Sequence, residues 1–438
     1  MKRLAFLHSA ALGAALLTTP AMLGLSLIGC GDTSKASAPS LATSGASGSL
    51  ASAGSAGAGA AGQAAILGGA GGGAGTEPVV GGAGGTAGTV GGAGGAAGMS
   101  GTGSNGGTSG TVELVGWHFF GRWDLRDTKR AITVNGGSHI STTFNGTSIT
   151  ANFDTSGNTG QIPTVAWQVD DGAWSESEIV ASLPLGKGLA ASTHRLTLFV
   201  RGMNESDARW KPPLVASTVF LGFSVSGGSI LPTARPGKVK LEFLGDSITE
   251  GVRVHSAGPQ GQTTNNWLAD GRRAYASLVG TALEADYRQV GFGRQGLTVV
   301  ASGGVPKAQD AFNWTYAGVP RDSWRPDIVV INEGTNDRSS TGAVFAPLYG
   351  KYLDLIRAAY PDATLVALEP FVGAFGTEIT AQVALRREAG DTRVVYIDTT
   401  GWTAPADFSD GLHPNVTGSE KIRDRLVPIL QALQPPAN

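Results

Sequence analysis

The sequence predicts an α/β domain with a parallel sheet, preceded by a small all-β, jelly-roll-like sandwich. Residues 113–229 contain short runs of β-forming residues between turn residues, and their spacing of about ten residues is typical of a sandwich. From residue 238 onward, apolar runs alternate with longer helical stretches, which is the order that builds a parallel sheet covered by helices on both faces. We therefore expect two folded domains, at residues 113–234 and 235–438.

Residues 1–30 have the composition of an export signal. Lys2 and Arg3 precede a mostly apolar run, which closes with Leu27-Ile28-Gly29-Cys30. These four residues resemble a bacterial lipobox, and the resemblance implies that Cys30 carries a lipid that anchors an exported lipoprotein facing the periplasm or the cell surface. Cys30 is the single cysteine of the chain, so an internal disulfide is excluded. An ordinary signal peptide and a single membrane-spanning anchor are the alternatives.

Residues 31–112 consist almost entirely of Gly, Ala, Ser and Thr, and residues 36–76 hold no charge. Such a segment cannot bury enough apolar surface to offset the entropy lost on ordering, so it is predicted to be a flexible tether. Over the whole chain the net charge is −2 and no Lys/Arg cluster stands out, which argues against a nucleic-acid partner. No residue pattern indicates a metal or another cofactor, and a monomer is expected.

The predicted strands of the all-β domain alternate with turn signals. These strands are Ala131–Val134, Ser148–Phe153, Thr164–Val169, Arg195–Val200 and Val215–Phe223. Asn-Gly and Asp-Gly pairs favour two-residue hairpin turns. Such turns are predicted at Asn135-Gly136, Asn145-Gly146 and Asp171-Gly172.

The α/β domain has its own series of strands and helices. Its predicted strands are Val239–Leu244, Tyr287–Val290, Asp327–Asn332, Thr364–Leu368 and Val394–Ile397. Its predicted helices are Arg272–Glu284, Phe345–Tyr360, Thr380–Ala389 and Thr417–Leu433.

Gly245-Asp246-Ser247 follows the first of these strands. The serine hydroxyl is therefore expected at the carboxyl edge of the sheet, where α/β proteins place their chemistry. A serine becomes a nucleophile only beside a base and an oxyanion site. Of the six histidines, only His255 and His413 belong to the α/β domain, and we favour His413 as the base, with Asp410 fixing its tautomer. His255 stays a lesser candidate and a candidate substrate contact.

Four segments, in chain order, resemble the GDSL-type SGNH hydrolases, whose signature residues are Ser, Gly, Asn and His. These segments are Phe243–Thr249, Gly291–Thr298, Trp324–Asp337 and Asp410–Pro414. The resemblance covers roughly residues 113–438 and is closest to carbohydrate esterase family 2, in which a small β-sandwich precedes the hydrolase domain.

This resemblance implies a flavodoxin-like strand order and gives roles to individual residues. Ser247 is the implied nucleophile and His413 the implied base. The Ser247 amide, the Gly296 amide and the Asn336 side chain are the implied oxyanion donors. Because members of carbohydrate esterase family 2 can lack the acid, a Ser–His dyad stays open beside the triad with Asp410, which we favour.

Tryptophans give the sequence its indication of substrate. Trp314, Trp324 and Trp402 are predicted to contact substrate from loops at the active edge, because aromatic faces suit sugar rings. No segment offers a long apolar lining for a fatty chain. Together with the family resemblance, this favours removal of O-acetyl groups from a polysaccharide such as xylan or mannan. The alternatives are an esterase for the cell's own envelope glycan, a lysophospholipase, and a non-catalytic glycan-binding surface lipoprotein.

Overall fold

The computed structural model describes residues 116–434, apart from residues 233, 234, 236 and 238. The predicted signal, the tether and Cys30 lie outside the described residues. The domain boundaries fall at or beside residues that are not described, and they stay predictions. Within the described range, no helix is both long enough and apolar enough to cross a membrane.

The all-β part consists of eight strands that pair antiparallel. They are β1 (Trp117–Phe120), β2 (Ala131–Thr133), β3 (His139–Asp154), β4 (Thr164–Val169), β5 (Ser175–Glu178), β6 (Ser182–Gly202), β7 (Thr218–Ser226) and β8 (Ser229–Leu231). The strand order is β2-β7-β3-β6-β4-β5, and β1 and β8 pair with β3 as well. The predicted all-β fold is confirmed, with the long strands β3 and β6 linking the parts of one continuous sheet.

Strand β3 changes the face that it turns toward the core. Its fully or almost fully buried apolar residues are Ile140, Phe144, Ile149, Ala151 and Phe153. Even positions are buried before residue 146 and odd positions after it. Because side chains alternate with a period of two, this change requires a register shift, and one lies between Gly146 and Ser148. The predicted hairpin turn at Asn145-Gly146 is therefore wrong, since Gly146 lies inside the strand.

The α/β part contains a five-stranded parallel sheet. Its strands are β9 (Lys240–Gly245), β10 (Asp286–Gly291), β13 (Ile328–Asn332), β14 (Thr364–Leu368) and β15 (Val394–Ile397), and a separate antiparallel pair is formed by β11 (Trp314–Tyr316) and β12 (Val319–Pro320). The order β10-β9-β13-β14-β15 is the flavodoxin-like order that the resemblance implied. The helices are α1 (Ser247–Glu250), α2 (Asn265–Leu268), α3 (Tyr275–Ala282), α4 (Ala308–Ala311), α5 (Gly342–Ala359), α6 (Gly376–Glu388) and α7 (Val416–Ala432).

Both faces of the parallel sheet are buried. Ile328 and Val330 of β13 join a cluster with α3 and α7, whereas Val329 and Ile331 join a cluster with α5 and α6. Because both of its faces are buried, a central parallel strand such as β13 has a continuous run of apolar residues, and such a run is easy to recognise in the sequence. The three-layer fold is confirmed.

Three buried arginines of the all-β part reach acids of the α/β part. Arg122, Arg201 and Arg209 are each at most 2% exposed. Their partners in the α/β part are Glu242, Asp270 and Glu250, respectively. Removing one partner of a buried ion pair leaves a charge uncompensated, so these contacts hold the two parts of the chain together.

Candidate active site

Ser247 begins helix α1 directly after strand β9, at the carboxyl edge of the parallel sheet. The carboxylate of Asp246 caps this short helix by accepting a hydrogen bond from the Ile248 amide at 2.8 Å. Gly245 is needed for the close approach of the strand, because a Cβ there would lie 2.6 Å from the carbonyl oxygen of Asn332. The Gly-Asp-Ser order therefore places the hydroxyl at the edge.

Ser247, His413 and Asp410 are brought together as the sequence predicted. His413 Nε2 lies 2.9 Å from Ser247 Oγ, and His413 Nδ1 lies 2.9 Å from Asp410 Oδ2. Asp410 Oδ1 also accepts a hydrogen bond from the His413 amide at 2.9 Å. Burial raises the pKa of Asp410, but the hydrogen bonds and charge of His413 outweigh it, so the net pKa lies below its usual value. An ionised Asp410 fixes the ring so that Nε2 can take a proton from the serine.

The other candidate base, His255, is engaged elsewhere. Its Nε2 lies 3.1 Å from Asp270 Oδ2, and Asp270 is also bound by Arg272 at 3.1 Å. The structure therefore places His255 in an ion-pair network and not beside Ser247.

The loop that carries Gly296 is fixed by Asp337. The Asp337 carboxylate accepts hydrogen bonds from the amides of Leu297 at 3.1 Å and Thr298 at 2.6 Å. A Cβ at Gly296 would lie 2.7 Å from Asp337 Oδ2, so only glycine fits there without a shift. The Asp337 side chain thus holds the loop in place from the neighbouring segment.

The three predicted oxyanion donors differ in their present partners. The Ser247 amide is the first of its helix, where amides lack an intrahelical acceptor. Asn336 Nδ2 donates to the Gln295 carbonyl at 2.8 Å and, more weakly, to Asp246 Oδ2 at 3.4 Å, so an oxyanion bound there would replace Asp246 as an acceptor. The Gly296 amide donates to the Val299 carbonyl at 3.2 Å, so an oxyanion bound there would replace Val299 as the acceptor.

Two buried carboxyl groups lie behind the nucleophile. Burial raises the pKa of Asp246 to about 6, although the Ile248 amide and the charge of His413 partly offset this effect. Burial, with the charges of Asp246 and Asp337, raises the pKa of Glu333 well above its usual value. Among the described residues, neither carboxyl oxygen of Glu333 has a hydrogen-bond partner, so nothing there offsets the cost of burying its charged form.

A contact from the all-β part connects helix α1 to the loop that carries Gly296. Arg209 binds both carboxylate oxygens of Glu250, which belongs to α1. Glu250 Oε2 also accepts the Gly293 amide at 2.8 Å, and the Arg209 amide donates to the Gly303 carbonyl at 3.1 Å. No local pattern in the sequence indicates this clamp, because Arg209 and Glu250 are 41 residues apart and belong to different folds.

Trp324 is not at the active edge, so that prediction is wrong. Its indole N–H donates to Asp286 at 3.0 Å, and the Arg288 guanidinium lies 4.2 Å from its ring centroid. Asp286 begins strand β10 and therefore marks the amino edge, a whole strand length away from Ser247. The physical reason is that Trp324 precedes strand β13, and loops that precede parallel strands lie at the opposite edge from loops that follow them.

Trp402 and Trp314 occupy different surroundings. Trp402 follows β15 and lies 6.4 Å, between ring centroids, from Phe371, which follows β14, so Trp402 is at the carboxyl edge as expected. Trp314 is 38% exposed in strand β11, and its carbonyl accepts a hydrogen bond from Arg122 at 3.1 Å. No contact among the described residues connects Trp314 to Ser247, and the roles of both tryptophans stay predictions.

The described residues also bear on metal binding. Within residues 116–434, with the four gaps named above, no group of three or more His, Cys, Asp or Glu side chains is arranged to hold a metal ion.

Comparison with known proteins supports the motif-based assignment. Residues 243–421 match the GDSL-like lipase/acylhydrolase family. The chain is 26% identical over 332 residues to the cellulase/esterase CelE of Acetivibrio thermocellus, covering 70% of this chain and 38% of that protein. It is 26% identical over 227 residues to an acetylxylan esterase/glucomannan deacetylase of Cellvibrio japonicus, covering 48% of this chain and 61% of that protein. The chain thus spans less than two thirds of these curated relatives.

Solved structures share the fold over a larger part of their length. A family two carbohydrate esterase from Clostridium thermocellum, in complex with cellohexaose, has a TM-score of 0.62 and 24% identity, covering 72% of this chain and 98% of that one. A family two carbohydrate esterase from Cellvibrio japonicus also has a TM-score of 0.62, with 21% identity, covering 72% and 95%. Residues 243–421 are therefore similar to the GDSL-like lipase/acylhydrolase family, and the fold is shared with solved carbohydrate esterases of family two.

Proposed function

We propose that this protein is a serine carboxylic ester hydrolase that removes O-acetyl groups from a polysaccharide. The observation that carries the proposal is the continuous hydrogen-bonded chain from Ser247 through His413 to Asp410, with 2.9 Å at each step. A serine held by an imidazole that is itself oriented by a carboxylate is the arrangement that acyl transfer requires.

The proposed reaction uses this chain in two half-reactions. His413 takes the proton of Ser247 as Oγ attacks the ester carbonyl, and the oxyanion is stabilised by the Ser247 amide, the Gly296 amide and the Asn336 side chain. When the tetrahedral intermediate collapses, the bond to the sugar oxygen breaks and His413 gives its proton to that oxygen. The sugar leaves with a free hydroxyl, and an acetyl group stays on Ser247. Water, activated by His413, then attacks the acyl-enzyme and releases acetate. Asp410 stabilises the imidazolium in both steps.

The substrate class is supported by the relatives and by the rim of the site. One relative is named for acetylxylan and glucomannan, and a structural neighbour was solved with cellohexaose bound. Residues around the catalytic histidine are polar: Arg253 Nε lies 3.8 Å from Asp410 Oδ2, and both side chains are partly exposed. A polar rim suits a hydroxyl-rich glycan better than an acyl chain.

Two measurements test the proposal. Initial rates on p-nitrophenyl acetate, butyrate and octanoate should fall as the acyl chain lengthens, because a small pocket excludes added carbons, whereas an apolar pocket would gain about 0.8 kcal/mol per buried methylene. Acetate release should be detected from acetylated xylan or acetylated glucomannan. Ser247→Ala should abolish both activities. Faster turnover of octanoate would favour a lysophospholipase, and binding of glycan without any turnover would favour a non-catalytic lipoprotein.

We further propose that the protein is exported and anchored in the membrane through a lipid on Cys30. The support is the Leu27-Ile28-Gly29-Cys30 sequence after an apolar run. Cys30→Ala should remove both lipid labelling and partition into detergent, whereas Ser26→Ala, just outside the quartet, should leave both unchanged. Unchanged partition of the Cys30→Ala protein would contradict the anchor.

A further inference from the structure

Glu205 of the all-β part lies against the loop that carries Gly296. It belongs to the connection between β6 and β7 and is half-buried. A Cβ at Gly293 would lie 2.6 Å from the Glu205 Cβ and 2.8 Å from its carboxyl carbon. The Glu205 side chain therefore occupies the space that a side chain at position 293 would fill, three residues before Gly296.

Charged groups of the candidate active site surround this carboxyl. Burial raises the pKa of Glu205, and the charge of Glu250 adds to the effect, whereas the charges of His413, Arg209 and Arg253 lower it. Of these groups, His413 contacts Ser247 and Arg253 lies beside Asp410. Glu205 is thus close enough to the catalytic histidine to interact with it electrostatically, although it comes from the other fold.

The neighbours of Glu205 on the same connection all have partners. Asn204 accepts a hydrogen bond from Asn265 at 3.1 Å, Asp207 accepts the Gln161 amide at 2.8 Å, and Arg209 binds Glu250. In the part of the chain that the structure describes, no hydrogen bond or ion pair is made by the Glu205 carboxyl. A half-buried carboxyl without a hydrogen-bond partner is free to accept one, and a ligand hydroxyl would supply it.

We propose that Glu205 is a specificity-determining residue that binds a free sugar hydroxyl next to the acetylated position of the glycan. The inference rests on the proposed polysaccharide esterase activity and extends it, since it makes the all-β part a contributor to the substrate site. A partly acetylated polysaccharide offers such hydroxyls on either side of the ester, whereas a small aryl acetate offers none. Glu205 should therefore affect the two kinds of substrate unequally.

The test compares acetylated xylan with p-nitrophenyl acetate in the full-length protein. Glu205→Ala removes the hydrogen-bonding group, and we expect kcat/KM on acetylated xylan to fall roughly 10- to 100-fold, mainly through KM. On p-nitrophenyl acetate we expect a loss of less than about threefold. Glu205→Gln keeps the shape and can still hydrogen-bond, so its loss on acetylated xylan should be smaller than that of Glu205→Ala.

Asp171→Ala is the matched control, because it also removes one carboxylate from the all-β part, and the Asp171 side chain is 92% exposed. Asp171→Ala should leave kcat/KM unchanged on both substrates. Equal losses on both substrates in Glu205→Ala would overturn the proposal, since Glu205 would then act through the catalytic histidine. No loss on either substrate would overturn it as well. If wild-type protein hydrolyses the aryl ester but releases no acetate from any polysaccharide, the proposed function fails before Glu205 is tested.

Discussion

The α/β part contains two histidine–aspartate pairs whose hydrogen bonds are almost equally long. His413 Nδ1 lies 2.9 Å from Asp410, and His255 Nε2 lies 3.1 Å from Asp270. Their surroundings differ. The free nitrogen of His413 faces Ser247, in front of the buried carboxyls described above, whereas Asp270 is wholly buried and also receives Arg272 and Arg201.

In the proposed mechanism, this difference separates a histidine that carries a proton, His413, from a histidine that links parts of the structure, His255. Burial raises the pKa of Asp270, but the His255 hydrogen bond and the charges of Arg272 and Arg201 outweigh it, so its net pKa is lowered. Asp270 therefore has its charge compensated by guanidinium groups and does not need an imidazolium. Asp410 is partly exposed, and most of the stabilisation of its carboxylate comes from His413. The carboxylate therefore stabilises the positive charge when the His413 ring takes up a proton. The two pairs thus differ in their further contacts: His413 contacts the Ser247 hydroxyl, whereas Asp270 contacts two arginines.

The largest expected effect comes from breaking the first pair at its nucleophile or base. Ser247→Ala and His413→Ala should each reduce kcat on p-nitrophenyl acetate roughly 10³-fold or more, with unchanged circular dichroism. His255→Ala is the matched variant in the second pair and should keep kcat within about threefold. A His413→Ala enzyme that retained most of its activity would transfer the role of base to His255.

The carboxylate of the first pair should matter for activity more than for stability. Asp410→Asn should lower kcat roughly 10²- to 10⁴-fold, because an amide can hold the wrong tautomer of His413 and cannot stabilise its charge. Since the Asp410 side chain is 29% exposed, the free energy of unfolding should change by less than about 1 kcal/mol. A loss of less than about tenfold in kcat would favour the dyad instead.

The carboxylate of the second pair should show the reverse behaviour. Asp270→Asn removes the fully buried one of the two carboxylates that bind Arg201 and Arg272, and Glu176 stays 3.0 Å from each, so we expect the free energy of unfolding to fall by about 1–3 kcal/mol. Urea denaturation measures this loss, with Asp410→Asn as the comparison. The kcat of the remaining folded Asp270→Asn protein should stay near that of the wild type, and a large drop would give the second pair a part in catalysis.

The last expected effect is a dependence of stability on pH, and it concerns Asp246, which lies beside the first pair. The folded pKa of Asp246 is about 6, above its ordinary 3.8, so the folded state holds a proton that the unfolded state has lost. The stability from this group is full below pH 3.8 and is lost as the pH rises through about 6, a change of about 3 kcal/mol. Urea denaturation at several pH values should show this decline in the wild type and a flatter profile in Asp246→Asn. Parallel profiles would contradict it.

Local patterns in the sequence predicted most of the fold. Thr164–Val169, Thr364–Leu368 and Val394–Ile397 match observed strands residue for residue, because each is an apolar or β-branched run bounded by turn residues. Ser247 was predictable because it follows a strand whose end is marked by Gly245, and the carboxyl ends of parallel strands meet at one edge. His413 and Asp410 were predictable because only two of the six histidines belong to the α/β part and because the segment Asp410–Pro414 resembles a family motif.

The missed features depend on distant parts of the chain. Asn145-Gly146 reads as a hairpin turn from two residues, but β3 continues through it because β6 and β7 pair with the strand on both sides. Trp324 was placed at the wrong edge because the distance from a motif in sequence does not say on which side of a strand a loop lies. Arg209 and Glu205 carry no local signal, since the residues that they contact, Glu250 and Gly293, belong to the other fold.

The clamp between Arg209 and Glu250 also bears on whether recombination can separate the two folds. A gene fragment that encoded only the α/β part would yield a protein in which Glu250 and Glu242 had each lost a buried guanidinium. The surface of the α/β part thus fits a β-sandwich that carries these arginines, and recombination that exchanged the β-sandwich would have to supply arginines at the same places. The two folds would therefore be transferred to another protein together.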